Sequence, residues 1–361
     1  MAPLQGIRIL DFTELLPGPF LSQNLVELGA CVVKIERPPH GDNARLMAPG
    51  VFHATNRGKK CIQLNLKSVQ GREQIEQLLE HADVLIEAYR PGVMKRLGLD
   101  YATLSARHPR LIYASLSGYG QTGVRALWPG HDLNYQAASG VLALSGLPNG
   151  QPAHVFGLPV ADLCGSIYGL SAILAALLQR MQSKKGQYLD IALADCLAHW
   201  MNPRLGSFQA QGLSSLDQQR KDALDKPAYG VFRCRDDKDI TICALENHFW
   251  QRLVEVLQLS DFSGVEFLNY EHRATHAQAI RQAIAARILA RDHDELHAAL
   301  LAADVPSMPL TQPSELLKTS EITERPLQSL DKTQLVRFPV QLSGMAEFDS
   351  TNQAFVASSW M

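Results

Sequence analysis

The most apolar stretch of the chain carries a carboxylate. Asp162 follows Pro159 early in GLPVADLCGSIYGLSAILAALLQRM (157–181). An unpaired charge is expensive there, so Asp162 is either the cap of its own helix or a functional acid whose pKa its setting tunes. Earlier in the chain, Gly130-His131-Asp132 precedes a helical pattern that begins near Leu133. Asp132 is placed as the N-cap, where backbone N–H groups would face a developing negative charge. His131 is the side chain whose ordinary pKa suits proton transfer near neutrality. Glu246, in Ala244-Leu245-Glu246-Asn247, lies where a hairpin gives way to a helix and reads as an N-terminal helix charge. A last set is basic: Arg37, Arg45, Arg57, Lys59, Lys60, Lys67, Arg90, Lys95 and Arg96 fall just beyond the ends of successive expected strands. In an open parallel sheet those ends form one edge. Cations converging there suit a ligand with several phosphates, which arginine can grip bidentately.

The elements that must position these residues alternate. IRILDF (7–12), CVVKIER (31–37), CIQLNL (61–66), DVLIEA (83–88), RLIYASLSG (110–118) and QYLDIAL (187–193) read as strands. Helical spacing falls between them at 20–30, 69–80, from about Val93, and from Leu133 to about Arg180, with another helix at 194–201. Such alternation means an α/β layer fold with parallel strands. Leu16-Pro17-Gly18-Pro19 after the first strand is not G-x-G-x-x-G, and its prolines lack the N–H groups a pyrophosphate needs, which argues against a dinucleotide. Residues 205–226 are polar without a clear period and read as a linker. The run 228–245 reads as a β-hairpin around Arg235-Asp236-Asp237-Lys238, and helices follow at 247–258, 272–290 and 293–302. This predicts a smaller α+β domain over 225–310. VRFPVQLSG (336–344) reads as a strand without a local partner, so segment 311–361 is expected to return to the sheet of the first domain, 1–204.

Composition narrows the function classes. The 361 residues hold 34 Lys+Arg against 36 Asp+Glu, so there is no net charge to attract nucleic acid or an anionic membrane. Charged residues make up only 19 %, which points to surface covered by another subunit. The apolar run 158–178 is interrupted by Asp162, Ser166 and Ser171 and is expected to be a buried core helix rather than a membrane span. Six scattered cysteines with no CxxC pair, and no secretory leader pattern, lead to the expectation of a reducing, cytoplasmic setting. Nothing in the pattern suggests a metal site.

Over nearly its whole length the chain resembles the family III CoA-transferases, the CaiB/BaiF superfamily that includes α-methylacyl-CoA racemase. The resemblance rests on LQGIRILDF, LPGPF, ELGACVVKIERP, GDNAR, NRGKK, LNLKS, ADVLIEAYRPGVMKRLGLDY, PRLIYASLSGYGQTG, GHDLNYQAASG, GLPVADLCG and KGQYLDIAL. It implies a Rossmann-like large domain built from both chain ends, a small domain, and an interlocked homodimer. It also implies an acyl-CoA thioester substrate, so that no separate cofactor is required.

Two chemistries share that scaffold. In the transferases the aspartate matching Asp162 attacks the acyl-CoA thioester, giving a mixed anhydride and then an aspartyl-CoA thioester. In the racemases it exchanges the α-proton with the histidine matching His131, which a glutamate matching Glu246 holds, while the backbone N–H of Asp132 stabilises the enolate. His131, Asp162 and Glu246 are all present, and no Gly-rich run occurs between 225 and 260. The expected activity is therefore inversion of a 2-methylacyl-CoA, with CoA transfer as the alternative and a non-catalytic CoA-ester-binding protein behind both. The CoA contacts carried over from the family are Arg37, Leu64, Asn65, Leu66, Lys67, Ala88, Tyr89, Arg90, Arg96, Gly130, Leu133, Asn134 and Tyr135, together with His131 and Asp132.

Overall fold

A computed structural model describes residues 2–147, 150–153, 157–324, 335–340 and 343. The chain divides into two units. One comprises residues 1–142, 154–203 and 317 onward, and the other 143–153 and 204–316.

The first unit is built on six strands: β1 (Arg8–Asp11), β2 (Cys31–Glu36), β3 (Lys60–Gln63), β4 (Val84–Glu87), β5 (Ile112–Ser117) and β6 (Tyr188–Ala192). All pairs are parallel, in the order β3-β2-β1-β4-β5-β6, the doubly wound arrangement whose switch point lies between β1 and β4. Side chains alternate across it. Ile9, Val32, Val84 and Ile112 pack with α1 (Pro17–Glu27) and α8 (Val160–Ser183) on one face. Leu10, Val33, Leu85 and Tyr113 pack with α4 (Val69–Leu79) and α6 (Tyr101–Arg107) on the other. The period of two in apolar strands covered on both faces produces this layering. Other helices of this part include α2 (Ala44–Met47), α3 (Pro49–Asn56), α5 (Val93–Leu97), α7 (Asp132–Ala138) and α9 (Leu193–Trp200).

The helical pattern from Leu133 to Arg180 is two helices, not one, because α7 stops at Ala138 and α8 starts at Val160. α8 is long and apolar enough to cross a membrane by length and composition, yet one side of it is core, against α1, α9, β5 and β6. Its glycines allow the close approach: a Cβ on Gly165 would lie 2.2 Å from Leu193 Cδ2, and one on Gly169 would lie 2.2 Å from Leu21 Cδ1. The described residues of the C-terminal segment fall in the first unit but form no strand of its sheet. Among the described residues only Val336 forms a bridge, Phe338 packs against the core, and its N–H donates to the Glu27 carboxylate rather than to a ladder. Pro339, which has no N–H, follows at once. Residues 341, 342 and 344 of that expected strand lie outside the described residues.

The second unit holds α10 (Asn202–Gln211), inside which the boundary falls, then α11 (Leu216–Leu224), β7 (Tyr229–Arg233), β8 (Asp239–Cys243), α12 (Asn247–Leu257), α13 (Tyr270–Thr275), α14 (Ala277–Leu289), α15 (His293–Ala302) and β9 (Ser307–Pro309). Its sheet is antiparallel, in the order β7-β8-β9. The expected linker at 205–226 is instead α10 and α11, with α11 entered through a reciprocal Ser215–Gln218 cap. These helices gave no apolar period because they bury few side chains, chiefly Phe208 and Arg220. Buried Arg220 donates to the carbonyls of Ala143, Ser145, Leu147 and Gly150, so a guanidinium takes the place of a core in pinning residues 143–153.

Candidate active site

The site in the first unit starts from the junction of α7 and α8. Pro159 precedes α8 and offers neither an N–H nor a polar side chain, so the helix has no cap of its own. Asp132 supplies one from α7: its Oδ1 accepts the N–H groups of Ala161 at 2.7 Å and Asp162 at 3.1 Å. Its Oδ2 accepts from Gln136 Nε2 at 2.5 Å. Asp132 is thus not the N-cap of its own helix, as expected from sequence. His131 holds that position, with its N–H donating to Asn134 Oδ1 at 3.0 Å, and Asp132 serves the neighbouring helix. Ser166 Oγ donates to the carbonyls of Asp162 at 2.7 Å and Pro17 at 2.6 Å, tying the first turn of α8 to the first βα turn.

The Asp162 carboxylate itself accepts no hydrogen bond and has no ion-pair partner among the described residues. Burial, reinforced by the charge of Asp132, pushes its pKa up from 3.8 to about 7. Tyr135 packs beside it, its hydroxyl donating to Gly130 O at 2.6 Å; burial and the Asp162 charge push that phenol up to about 12. Tyr119 lies edge-on to Tyr135, with ring centroids 5.3 Å apart. His131, Leu133 and Asn134 are exposed at the start of α7. One residue and one hydrogen bond therefore separate His131 from Asp162. Glu246 belongs to the second unit, exposed at the N-cap of α12. Buried Arg273 grips the segment on both sides of it, donating to Leu245 O at 2.6 Å and Asn247 Oδ1 at 3.0 Å.

The basic set divides. Arg37 follows β2, Leu64–Lys67 follow β3, and Ala88–Arg90 follow β4, so these loops share the C-terminal edge of adjoining strands. Arg37, Lys67, Arg90 and Arg96 are exposed, and their side chains make no ion pair among the described residues. The loops are rigidly shaped. Asn65 Oδ1 accepts the Lys67 N–H, and Glu87, which burial pushes up to about 7, accepts the Tyr89 N–H at 2.8 Å. Lys95 and Arg96 sit on α5. The others do not belong to a ligand edge. Arg45 pairs with Glu36 at 2.9 Å and lies over Phe52, Arg57 pairs with Glu27, and Lys59 is buried on Asp11 at 3.1 Å. Arg57 and Lys59 precede β3 and Lys60 opens it, so they enter the sheet rather than leave it.

Sequence reasoning missed the network beneath the first βα turn. Asp11 Oδ2 takes Ser22 Oγ and Lys59 Nζ, Oδ1 takes Thr13, and Lys34 Nζ pairs with Asp42 at 2.9 Å while donating to Thr13 O. Burial alone would raise Asp11, but Lys59, Lys34 and the hydroxyls of Ser22 and Thr13 together outweigh it and hold the carboxyl well below the usual range. Burial lowers Lys59 to about 8. Asp42 Oδ1 also accepts the N–H of Leu15, whose φ of 67° is left-handed, a strain of about 1 kcal/mol that the network maintains. The signal was a lysine inside CVVKIE, an apolar strand buried at every position.

An open α/β chain with a half-buried carboxylate at a helix start that has no partner among the described residues, and with exposed, unpaired cations among the described residues of the same unit's loops and α5, has the parts of a group-transfer or proton-transfer enzyme for a phosphate-bearing substrate. The sequence pattern of CoA-transferase family III matches residues 4–355, and the chain belongs to that family. It is 36 % identical over 289 residues to acetyl-CoA:oxalate CoA-transferase of Acetobacter aceti, covering 78 % of this chain and 74 % of that one. It is 32 % identical over 340 residues to succinate–glutarate CoA-transferase of Agrobacterium fabrum, covering 90 % and 84 %. Human α-methylacyl-CoA racemase is 34 % identical over 263 residues, covering 71 % of this chain and 65 % of that one. A solved CaiB/BaiF family protein from Brucella suis superposes with a TM-score of 0.85 at 26 % identity, covering all of both chains.

Proposed function

We propose that this chain moves CoA between carboxylic acids, with Asp162 as the nucleophile. The expectation from sequence put racemisation first; transferase names among similar proteins, with greater coverage, turn the preference to transfer. The observation that carries the reading is the Asp162 carboxylate, partnerless in a half-buried setting while its own main chain is held on both sides. A carboxylate partly withdrawn from water and free of protein donors is a better nucleophile than one bound to them. It attacks the thioester carbonyl, the C–S bond breaks, and CoA leaves as thiolate with a mixed anhydride on Asp162. The thiolate then attacks the aspartyl carbonyl, releasing the first acid as carboxylate and leaving an aspartyl-CoA thioester. A second carboxylate attacks that thioester, its C–S bond breaks to release CoA thiolate and a second mixed anhydride forms on Asp162; the thiolate then attacks the new acyl carbonyl, giving the product thioester and freeing the Asp162 carboxylate. Arg37, Lys67, Arg90 and Arg96 would hold the CoA phosphates. The two transferase relatives are named for short dicarboxylic acids, and such an acid is the acceptor proposed here.

Racemisation remains the second reading because of His131, one residue from the carboxylate that holds Asp162. A pKa near 7 at Asp162 serves either chemistry. Both readings are proposed for a homodimer. Supporting it are the low charge content and the apolar outer face of α8, where Ile167, Leu178 and Met181 are 43, 66 and 69 % exposed. The deciding experiment incubates one enantiomer of a 2-methylacyl-CoA in D₂O, with and without a dicarboxylic acid. CoA passing to the acid without deuterium at C2 supports transfer; deuterium uptake with no transfer overturns it in favour of racemisation.

A further inference from the structure

We infer that the Asp132 carboxylate is a positioning residue for the reaction: it clamps the main chain of Asp162 from the neighbouring helix, and buried Gln136 holds the clamp in place. The inference rests on the reading of Asp162 as the reacting group. A helix leaves its first N–H groups without partners, and α8, entered through Pro159, has no residue of its own to satisfy them. A cap from another helix would stabilise α8 wherever it bound. This one binds the N–H of Asp162 itself, and Ser166 takes the carbonyl of the same residue. With its N–H and its C=O both bonded, the main chain of Asp162 is restrained on both sides.

Gln136 is the independent observation. It is fully buried, its Nε2 donates to Asp132 Oδ2, and among the described residues its Oε1 has no partner. An amide that leaves a buried acceptor unsatisfied is costly to keep, and its one bond restrains the Asp132 carboxylate. The charged and titratable groups facing Asp162 from α7 are Asp132 and Tyr135, and Arg90, after β4, bears on Tyr135. The Asp132 charge therefore disfavours ionisation of Asp162, in the same direction as burial.

The test uses Asp132→Ala and Asp132→Asn in the full-length protein; both keep the backbone N–H at position 132. Asp132→Ala is expected to lower kcat about 10- to 100-fold with KM for acyl-CoA changed less than about threefold, as misplacement of a reacting group does. Asp132→Asn keeps an oxygen for the two N–H groups, so it should recover most of kcat. Loss of the charge should move the acid limb of its kcat/KM profile to lower pH. Wild-type kcat and an unmoved acid limb in these variants, even with a lowered Tm, would make the contact a helix cap only and overturn the inference. If Asp132→Ala does not fold, Gln136→Met provides the same readout: a fall in kcat at constant KM supports the clamp, and wild-type kcat overturns it. Asp162→Ala runs beside them. Activity retained there overturns the nucleophile reading and the clamp with it, whereas loss there with wild-type behaviour at Asp132 overturns the clamp alone.

Discussion

Asp11 and Asp162 are both carboxylates withdrawn from water in the same unit, and they titrate in opposite directions. Asp11 ends β1 with Lys59, Ser22 and Thr13 on its oxygens, and these partners hold it ionised. Asp162 begins α8 with donors on its neighbours but none on its carboxylate, and burial with the Asp132 charge carries it to about 7. Burial alone would raise both; the cations and hydroxyls around Asp11 reverse the direction there, and Asp162 has no such neighbours among the described residues. The same division runs through the cations. Arg45, Arg57 and Lys59 are occupied by Glu36, Glu27 and Asp11, and hold the fold together. Arg37, Lys67 and Arg90, in loops after strands, and Arg96, on α5, are exposed and make no ion pair among the described residues. In this protein the groups left without partners among the described residues are the ones proposed to meet the substrate.

The comparison can be broken first at the carboxylates. Asp162→Ala should leave the fold intact and reduce CoA transfer by about 10³-fold or more, measured as steady-state turnover. Asp11→Ala should do the reverse. It strands Lys59 in the interior and should cost about 3–5 kcal/mol in denaturant unfolding, while the folded fraction keeps its KM. The cations sharpen the contrast at a smaller scale. Arg37→Ala, Arg90→Ala and Arg96→Ala should each raise KM for a CoA ester, a lost charge-assisted bond of roughly 1.5–3 kcal/mol being about 10–150-fold. Arg45→Ala should leave KM alone and lower Tm slightly.

The smallest effect is in stability. A carboxyl whose pKa is raised by folding favours the folded state below its unfolded value of 3.8, and that contribution is lost as pH rises to about 7. Asp162→Asn should therefore raise Tm above pH 7 and have little effect below pH 4. A uniform shift across that range would mean that burial is not what perturbs Asp162.

Much of this was legible in the residues. The alternation of apolar strands and helices carried the parallel sheet, because buried strands and amphipathic helices have different periods, and a carboxylate in an apolar helix marked Asp162. Arg37, Lys67, Arg90 and Arg96 were placed by where strands end. Three things were not legible. The linker helices hid because α10 and α11 bury almost nothing apolar, and α11 is anchored by Arg220 bonds to backbone carbonyls, which no side-chain pattern encodes. Asp132 was assigned to its own helix because capping is read locally, whereas its carboxylate serves a helix that begins 28 residues later, Val160 against Asp132. The paired cations were grouped with the free ones because charge along a sequence does not show which residues already have a partner.

If Asp162 forms a covalent bond to the substrate, hydroxylamine will trap it. The protein is incubated with acyl-CoA and hydroxylamine, digested, and its peptides are examined by mass spectrometry. An aspartyl-CoA thioester is open to attack by that reagent, so this account predicts a hydroxamate on Asp162, inactivation that depends on acyl-CoA, and neither in the absence of acyl-CoA. Full activity and an unmodified Asp162 peptide, with deuterium entering C2 of a 2-methylacyl-CoA in D₂O, would contradict it.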